Sequence, residues 1–195
     1  MYIPNDKFAR RARREGYRAR SAYKLLDIQR KFRILKLGDF VLDLGAAPGS
    51  WMQVASKIVG SAGKVLGVDK ALILPLKDGS ITIAQKDIFD SDLIEYILNY
   101  FGGKIDVVLS DAAPATTGLR ERDQAVSLEL AKRALEIALA VLKIGGNAVI
   151  KIFEGENTPQ LLTQAREHFS SVKIIKPSGS QKRSREIYIV CRCLD

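Results

Sequence analysis

Short apolar runs along this chain alternate with stretches whose apolar positions recur every three or four residues. The runs predict strands at Phe40–Leu44, Lys64–Asp69, Ile81–Gln85, Asp106–Ser110, Asn147–Phe153, Val172–Lys176 and Glu186–Cys193. Between them, helical patterns cover Ser50–Val59, Ser91–Phe101, Asp123–Leu142 and Pro159–Phe169. The longest is the clearest, because Val126, Leu130, Ala134, Ile137, Leu139 and Val141 fall close to a period of roughly 3.6 residues. An earlier helix, Ser21–Phe32, turns Ala22, Leu25, Leu26 and Phe32 inward. Ser50 and Ser91 are candidate N-caps, and Gly145-Gly146 is a candidate stop for the long helix.

Near-continuous apolar strands alternating with helices predict an α/β fold: a doubly wound, mostly parallel, seven-stranded sheet covered on both faces. Only the loop Pro177–Arg185 separates the last two strands, too little for a parallel crossover, so the last strand should run antiparallel. At 195 residues and 47% hydrophobic, the chain can bury one substantial core. We expect a single domain over 1–195, with a basic helical extension at 1–35. No apolar run reaches membrane-spanning length and no signal-peptide core is present, which points to the cytoplasm. Cys191 and Cys193 are too few for a disulfide framework or a four-ligand zinc site, and are expected to share a face of the last strand.

The charge is uneven. Lys+Arg number 31 against 22 Asp+Glu, a net charge of +9. Lys7, Arg10, Arg11, Arg13, Arg14, Arg18 and Arg20 form one group, and Lys176, Lys182, Arg183 and Arg185 another. Such clusters supply affinity for a polyanion through counterion release. Tyr17 and Tyr23 interleave the first group, as base-stacking residues would.

Candidate chemistry lies at the strand ends. The first strand runs into Asp43-Leu44-Gly45-Ala46-Ala47-Pro48-Gly49-Ser50-Trp51, small residues that let a ligand approach the backbone at a strand-to-helix turn. Ala47 and Pro48 break the glycine spacing of a dinucleotide fingerprint. Asp69 ends the second strand, where a carboxylate can accept both ribose hydroxyls of an adenosine ligand. Asp87 follows the third, within reach of an adenine amino group. Lys151 is out of character inside the apolar run Ala148–Phe153, since an unpaired lysine is rarely buried.

Asp-Leu-Gly-Ala-Ala-Pro-Gly-Ser-Trp resembles the first motif of the FtsJ/RrmJ family of RNA 2′-O-ribose methyltransferases. The resemblance extends from Tyr17 to the end through four further blocks: Tyr17–Leu25, Ser110–Pro114, Val149–Gly155 and Ser184–Val190. It departs at Ser50, where bacterial members commonly have glycine, and at Ala115, where asparagine is frequent. The resemblance implies an S-adenosylmethionine site lined by Gly45, Pro48, Gly49, Trp51, Asp69, Asp87, Ile88 and Asp111. It also implies a catalytic tetrad of Lys24, Asp111, Lys151 and Glu186, with no metal required.

A ribose hydroxyl is a poor nucleophile unless its proton is removed as it attacks, and Lys151 is the expected base or proton acceptor. Lys24 and desolvation would lower its pKa while Asp111 and Glu186 would raise it; a Lys151 that stays protonated would stabilise the developing oxyanion instead. The implied substrate is a uridine in the A loop of large-subunit ribosomal RNA, within the large subunit, with the enzyme acting as a monomer. The alternatives are a transfer RNA anticodon-loop ribose methyltransferase and a non-catalytic RNA-binding assembly factor on the same fold.

Overall fold

The computed structural model describes residues 7–178 and 184–195. The elements in chain order are α1 (Lys7–Arg14), α2 (Ala22–Phe32), β1 (Phe40–Leu44), α3 (Ser50–Val59), β2 (Lys64–Asp69), β3 (Ile81–Gln85), α4 (Leu93–Phe101), β4 (Ile105–Ser110), α5 (Arg120–Val141), β5 (Leu142–Phe153), α6 (Thr158–Arg166), β6 (Phe169–Ile175) and β7 (Glu186–Leu194). They build one seven-stranded sheet in the order β3-β2-β1-β4-β5-β7-β6. The pairs among β1 to β5 are parallel, and β7 runs antiparallel to both β5 and β6.

Two apolar layers sandwich the sheet, and strand periodicity assigns side chains to them. Leu42, Leu44, Val108, Ala148, Ile150, Ile152, Ile187 and Ile189 face the layer closed by α4, α5 and α6. Val41, Val107, Leu109, Val149, Tyr188 and Val190 face the opposite layer, closed by α2 and α3. Strand order reverses between β1 and β4, which opens a crevice at their C-terminal ends.

Several local expectations need correction. Ser50 is the first residue of α3 rather than its cap; Gly49, at φ +112°, holds the cap position. Asp92, not Ser91, precedes α4, and its side chain makes no capping bond. The long helix ends because Leu142 turns extended (ψ 144°), so Gly145 and Gly146 fall inside β5. There the β4–β5 register shifts between Ile105 and Val107, next to Gly145 at φ +79°. Cys191 is buried but Cys193 is exposed with φ 56°, a left-handed residue that breaks strand alternation and separates the two thiols.

Candidate functional site

Periodicity within the sheet gathers the polar site. Asp111, Lys151 and Glu186 are in phase with Leu109, Val149 and Tyr188, so all three belong to the α2/α3 side. Their strands bring them together: β4 pairs with β5, and β5 with β7, with Lys151 opposite Tyr188 and Phe153 opposite Glu186. Helix α2 crosses that side and buries Lys24 down to 5% exposure.

At the C-terminal ends of β1, β2 and β4 lies a cavity of ≈ 510 Å³. Its walls include Gly45, Asp69, Asp87, Ile88 and Asp111, all expected from the sequence, together with Ala112, Val126 and Leu130. The volume is that of a drug-sized ligand pocket. Gly45, at φ +71°, is required by a close approach, because a Cβ there would lie 2.5 Å from Ala112 Cα. Asp69 accepts the Ala47 amide at 2.9 Å and the Ala71 amide at 2.8 Å, and Asp87 accepts the Phe89 amide at 3.0 Å. Both carboxylates are thus held in fixed orientation beside the cavity, an acceptor set suited to ribose hydroxyls and an adenine amino group.

Pro48, Gly49 and Trp51 are not among the residues that line this cavity, although Ala47 beside them is. Pro48 gives its carbonyl to Arg18 at 2.9 Å, and a Cβ on Gly49 would meet Arg18 and Leu76. Trp51 is buried, donates Nε1–H to the Ser21 carbonyl at 2.9 Å and packs 5.6 Å from the Tyr188 ring.

The four tetrad positions form a single chain of ion pairs. Lys151 Nζ lies 3.2 Å from Asp111 Oδ1 and 3.1 Å from Glu186 Oε1, while Lys24 Nζ meets Glu186 Oε2 at 2.9 Å. Tyr188 closes the far end by donating its hydroxyl to Asp111 Oδ1 at 2.6 Å. Its ring also lies 5.7 Å from the Lys24 ammonium, within cation–π range.

Charge pairing sets the protonation states. Burial disfavours the Lys151 ammonium, but the Asp111 and Glu186 carboxylates outweigh it and raise the pKa above the ordinary lysine value. Burial likewise opposes ionisation of Glu186, yet Lys151 and Lys24 bring its pKa down to about 2. The Tyr188 phenol is pushed well up, first by burial and then by Asp111. Two lysines and two acids meet in this array, so its formal charges balance.

The FtsJ-like methyltransferase family model matches residues 17–194. The chain belongs to that family. It is 42% identical over 187 residues to the ribosomal RNA large subunit methyltransferase E of Acinetobacter baylyi, covering 95% of this chain and 86% of that one. Identity to the protein of the same description from Methanothrix thermoacetophila is 46% over 185 residues, covering 95% and 71%. Among solved structures, a Plasmodium falciparum protein described as a ribosomal RNA methyltransferase superposes with a TM-score of 0.82 at 32% identity. That match covers 91% of this chain and 98% of the other. A fibrillarin/Nop5p complex chain, at TM-score 0.62 and 20% identity, shares the fold.

Three further features of the site come from the structure rather than from the residue pattern. Asp43 is fully buried, and neither carboxyl oxygen has a hydrogen-bond partner among the described residues. Burial, then Asp111 and Asp69, push its pKa well up, which favours its neutral form at the end of β1. Its phase with Val41 could have marked it as inward-facing.

Second, Arg18 is a strap: it donates to the carbonyls of Pro48 at 2.9 Å, Leu74 at 2.6 Å and Pro75 at 2.6 Å. Gln53 accepts the Arg18 amide at 2.9 Å, and the Ser50 and Ser21 hydroxyls lie 2.6 Å apart, so the departure at Ser50 ties the loop after β1 to the start of α2.

Third, the basic group divides. Arg11 pairs with Glu15 at 2.7 Å and covers the Tyr23 ring, while Tyr23 is buried and donates to Glu15 at 2.9 Å. Tyr17 packs on Tyr23 and under Lys57. These tyrosines are committed to packing rather than free for base stacking. Lys7, Arg10, Arg13 and Arg14 are exposed on α1. In the second basic group Lys176 donates to the Ser184 carbonyl at 2.6 Å and Arg185 is exposed; Lys182 and Arg183 lie outside the described residues.

Proposed function

We propose that this protein methylates a ribose 2′-hydroxyl of large-subunit ribosomal RNA, using S-adenosylmethionine held in the ≈ 510 Å³ cavity. One observation carries the reading: the charge-balanced chain Asp111–Lys151–Glu186–Lys24 begins at a residue that lines that cavity. The relatives named for large-subunit ribosomal RNA methylation support the choice of substrate.

S-adenosylmethionine supplies a methyl group already activated by its sulfonium charge. Asp69 and Asp87 would hold its ribose and adenine, with Gly45 allowing the backbone to approach and Ile88, Val126 and Leu130 covering its apolar surface. Asp111 stands between that cavity and Lys151, so it orients both. Lys151 acts on the acceptor oxygen. Because its carboxylate neighbours hold it as an ammonium, the geometry supports hydrogen-bond donation to the 2′-oxygen and stabilisation of the negative charge that develops there, with the hydroxyl proton released to solvent as the oxygen takes the methyl and the sulfur leaves as a neutral thioether. The base role expected from the sequence would start from the minor, neutral form of the same amine. Glu186 and Lys24 fix Lys151 in place from the other side. Fixed alignment of acceptor and methyl supplies much of the rate in such a site.

The exposed α1 cations Lys7, Arg10, Arg13 and Arg14, with Arg185, would hold the RNA phosphates. A uridine in the A loop is the acceptor this reading favours. The test is to incubate the protein with labelled S-adenosylmethionine and large ribosomal subunits or transfer RNA, then map 2′-O-methylation. A single methylated ribose in large-subunit RNA is expected. Methylation confined to the transfer RNA anticodon loop would replace the substrate, and no methylation of either RNA would leave a binding protein.

A further inference from the structure

Lys151 is ion-paired to one lining residue of each of two cavities. The cofactor cavity includes Asp111, and a second cavity of ≈ 340 Å³ includes Glu186. Since Lys151 Nζ is 3.2 Å from the first carboxylate and 3.1 Å from the second, a ribose hydroxyl at Lys151 has cofactor space on one side and the second cavity on the other. We propose that this second cavity, walled by Thr116, Gly118, Gln124, Phe153 and Arg185 beside Glu186, is the subsite for the base of the acceptor nucleotide. The inference rests on the proposed ribose methylation and names where the rest of the substrate goes.

The lining has the chemistry of nucleotide recognition. Phe153 offers part of an aromatic ring at the end of β5, a surface on which any base can stack. Gln124 is anchored by donating Nε2–H to the Glu154 carbonyl at 2.7 Å, which presents a fixed amide to the cavity. An amide both donates and accepts, as base edges require. Arg120 and Arg185 are exposed at the margin and suit flanking phosphates.

The wall between the two cavities is held by a residue outside the tetrad. Asp123, 9% exposed, accepts the Thr117 amide at 2.9 Å, the Thr117 hydroxyl at 2.9 Å and the Gly118 amide at 3.2 Å. These bonds pin the loop that follows β4. Ala112–Ala115 of that loop line the cofactor cavity, while Thr116 and Gly118 line the second. Asp123 is therefore a positioning residue that sets the separation between methyl donor and acceptor base.

The test begins with the acceptor position mapped by methylation. An RNA carrying a photoreactive thio-substituted base at that position is bound to the unmodified protein with S-adenosylhomocysteine and irradiated, and the adduct is located by peptide mass spectrometry. The adduct is expected on 116–124, Phe153 or Arg185; an adduct only elsewhere, on an RNA the protein does methylate, overturns the subsite. In parallel, Phe153→Leu and Gln124→Ala should raise the RNA concentration for half-maximal single-turnover rate about tenfold, the loss of one stacking or amide contact, with cofactor affinity unchanged. Wild-type RNA dependence in both variants overturns the assignment of these residues. Asp123→Asn should weaken cofactor and RNA together, whereas a merely structural role would lower thermal stability without that paired loss. A wild-type protein that methylates no RNA overturns the ribose-methylation reading itself, and the subsite with it.

Discussion

Tyr188 donates its hydroxyl to Asp111 Oδ1 at 2.6 Å, the same oxygen that Lys151 approaches at 3.2 Å. The phenol is fully buried, and its β7 position lies directly across from Lys151 in the β5–β7 ladder. Asp111 is thus oriented by one neutral donor and one cation, which leaves its remaining lone pairs for ligands in the cofactor cavity.

Tyr188→Phe removes that neutral donor while keeping the ring against Trp51 and Lys24. A hydrogen bond to a charged group contributes about 1.5–3 kcal/mol, so chemical denaturation should show a loss of that order. The single-turnover rate should fall, with RNA affinity nearly unchanged. Wild-type stability and rate would show that Lys151 alone orients Asp111.

Lys151→Ala should lower the single-turnover rate by about two to four orders of magnitude with cofactor affinity nearly intact. Lys151→Arg separates the roles, because a guanidinium keeps the charge but accepts no proton. Substantial activity in the arginine variant supports the electrostatic role; activity as low as in alanine supports the base. The raised Lys151 pKa adds a sign. A base role makes the rate climb with pH beyond the ordinary lysine value of 10.5, whereas the electrostatic role loses its ammonium there. Glu186 governs the acid side. Its pKa of about 2 lies below the ordinary 4.5, so its stabilisation is complete above pH 4.5 and fades as pH falls toward 2. Denaturation followed across that window in wild type and Glu186→Gln checks the assignment.

Asp69→Ala and Asp87→Ala should each weaken S-adenosylmethionine binding by about 1–3 kcal/mol, the usual cost of losing a charged hydrogen-bond partner. Calorimetric titration measures it. Unchanged affinity in both would remove the cavity from cofactor binding.

Arginines of the N-terminal segment should divide by location. Neutralising Arg10, Arg13 and Arg14 on the exposed face of α1 should weaken RNA binding and flatten its salt dependence, leaving cofactor binding unaltered. Arg18→Ala leaves the carbonyls of Pro48, Leu74 and Pro75 without their donor. It should lower the melting temperature and cofactor affinity instead, with the RNA salt slope preserved. The two sets of titrations distinguish the cases.

Most of the fold was legible in the sequence because it depends on local periodicity. β1, β2, β3 and α3 fall on the residues that the apolar pattern marks, and the short Pro177–Arg185 connection demands an antiparallel last strand. Period-two alternation even places Asp111, Lys151 and Glu186 on one side of the sheet once the strands are paired. What pairs them is not local. The order β1-β4-β5-β7 brings together residues far apart in the chain, and no propensity encodes it. The local errors have the same origin: Ser50 and the tyrosines 17 and 23 have ordinary capping and stacking chemistry, but contacts with α2, Glu15 and Lys57 claimed them. Lys24 was named by the resemblance alone; its burial on α2 follows from the tertiary packing, where Glu186 compensates its charge at 2.9 Å. Residue types and spacing determined which groups could do chemistry here. Tertiary packing decided their charges, because desolvation and ion pairing act only between groups that the fold has already brought together.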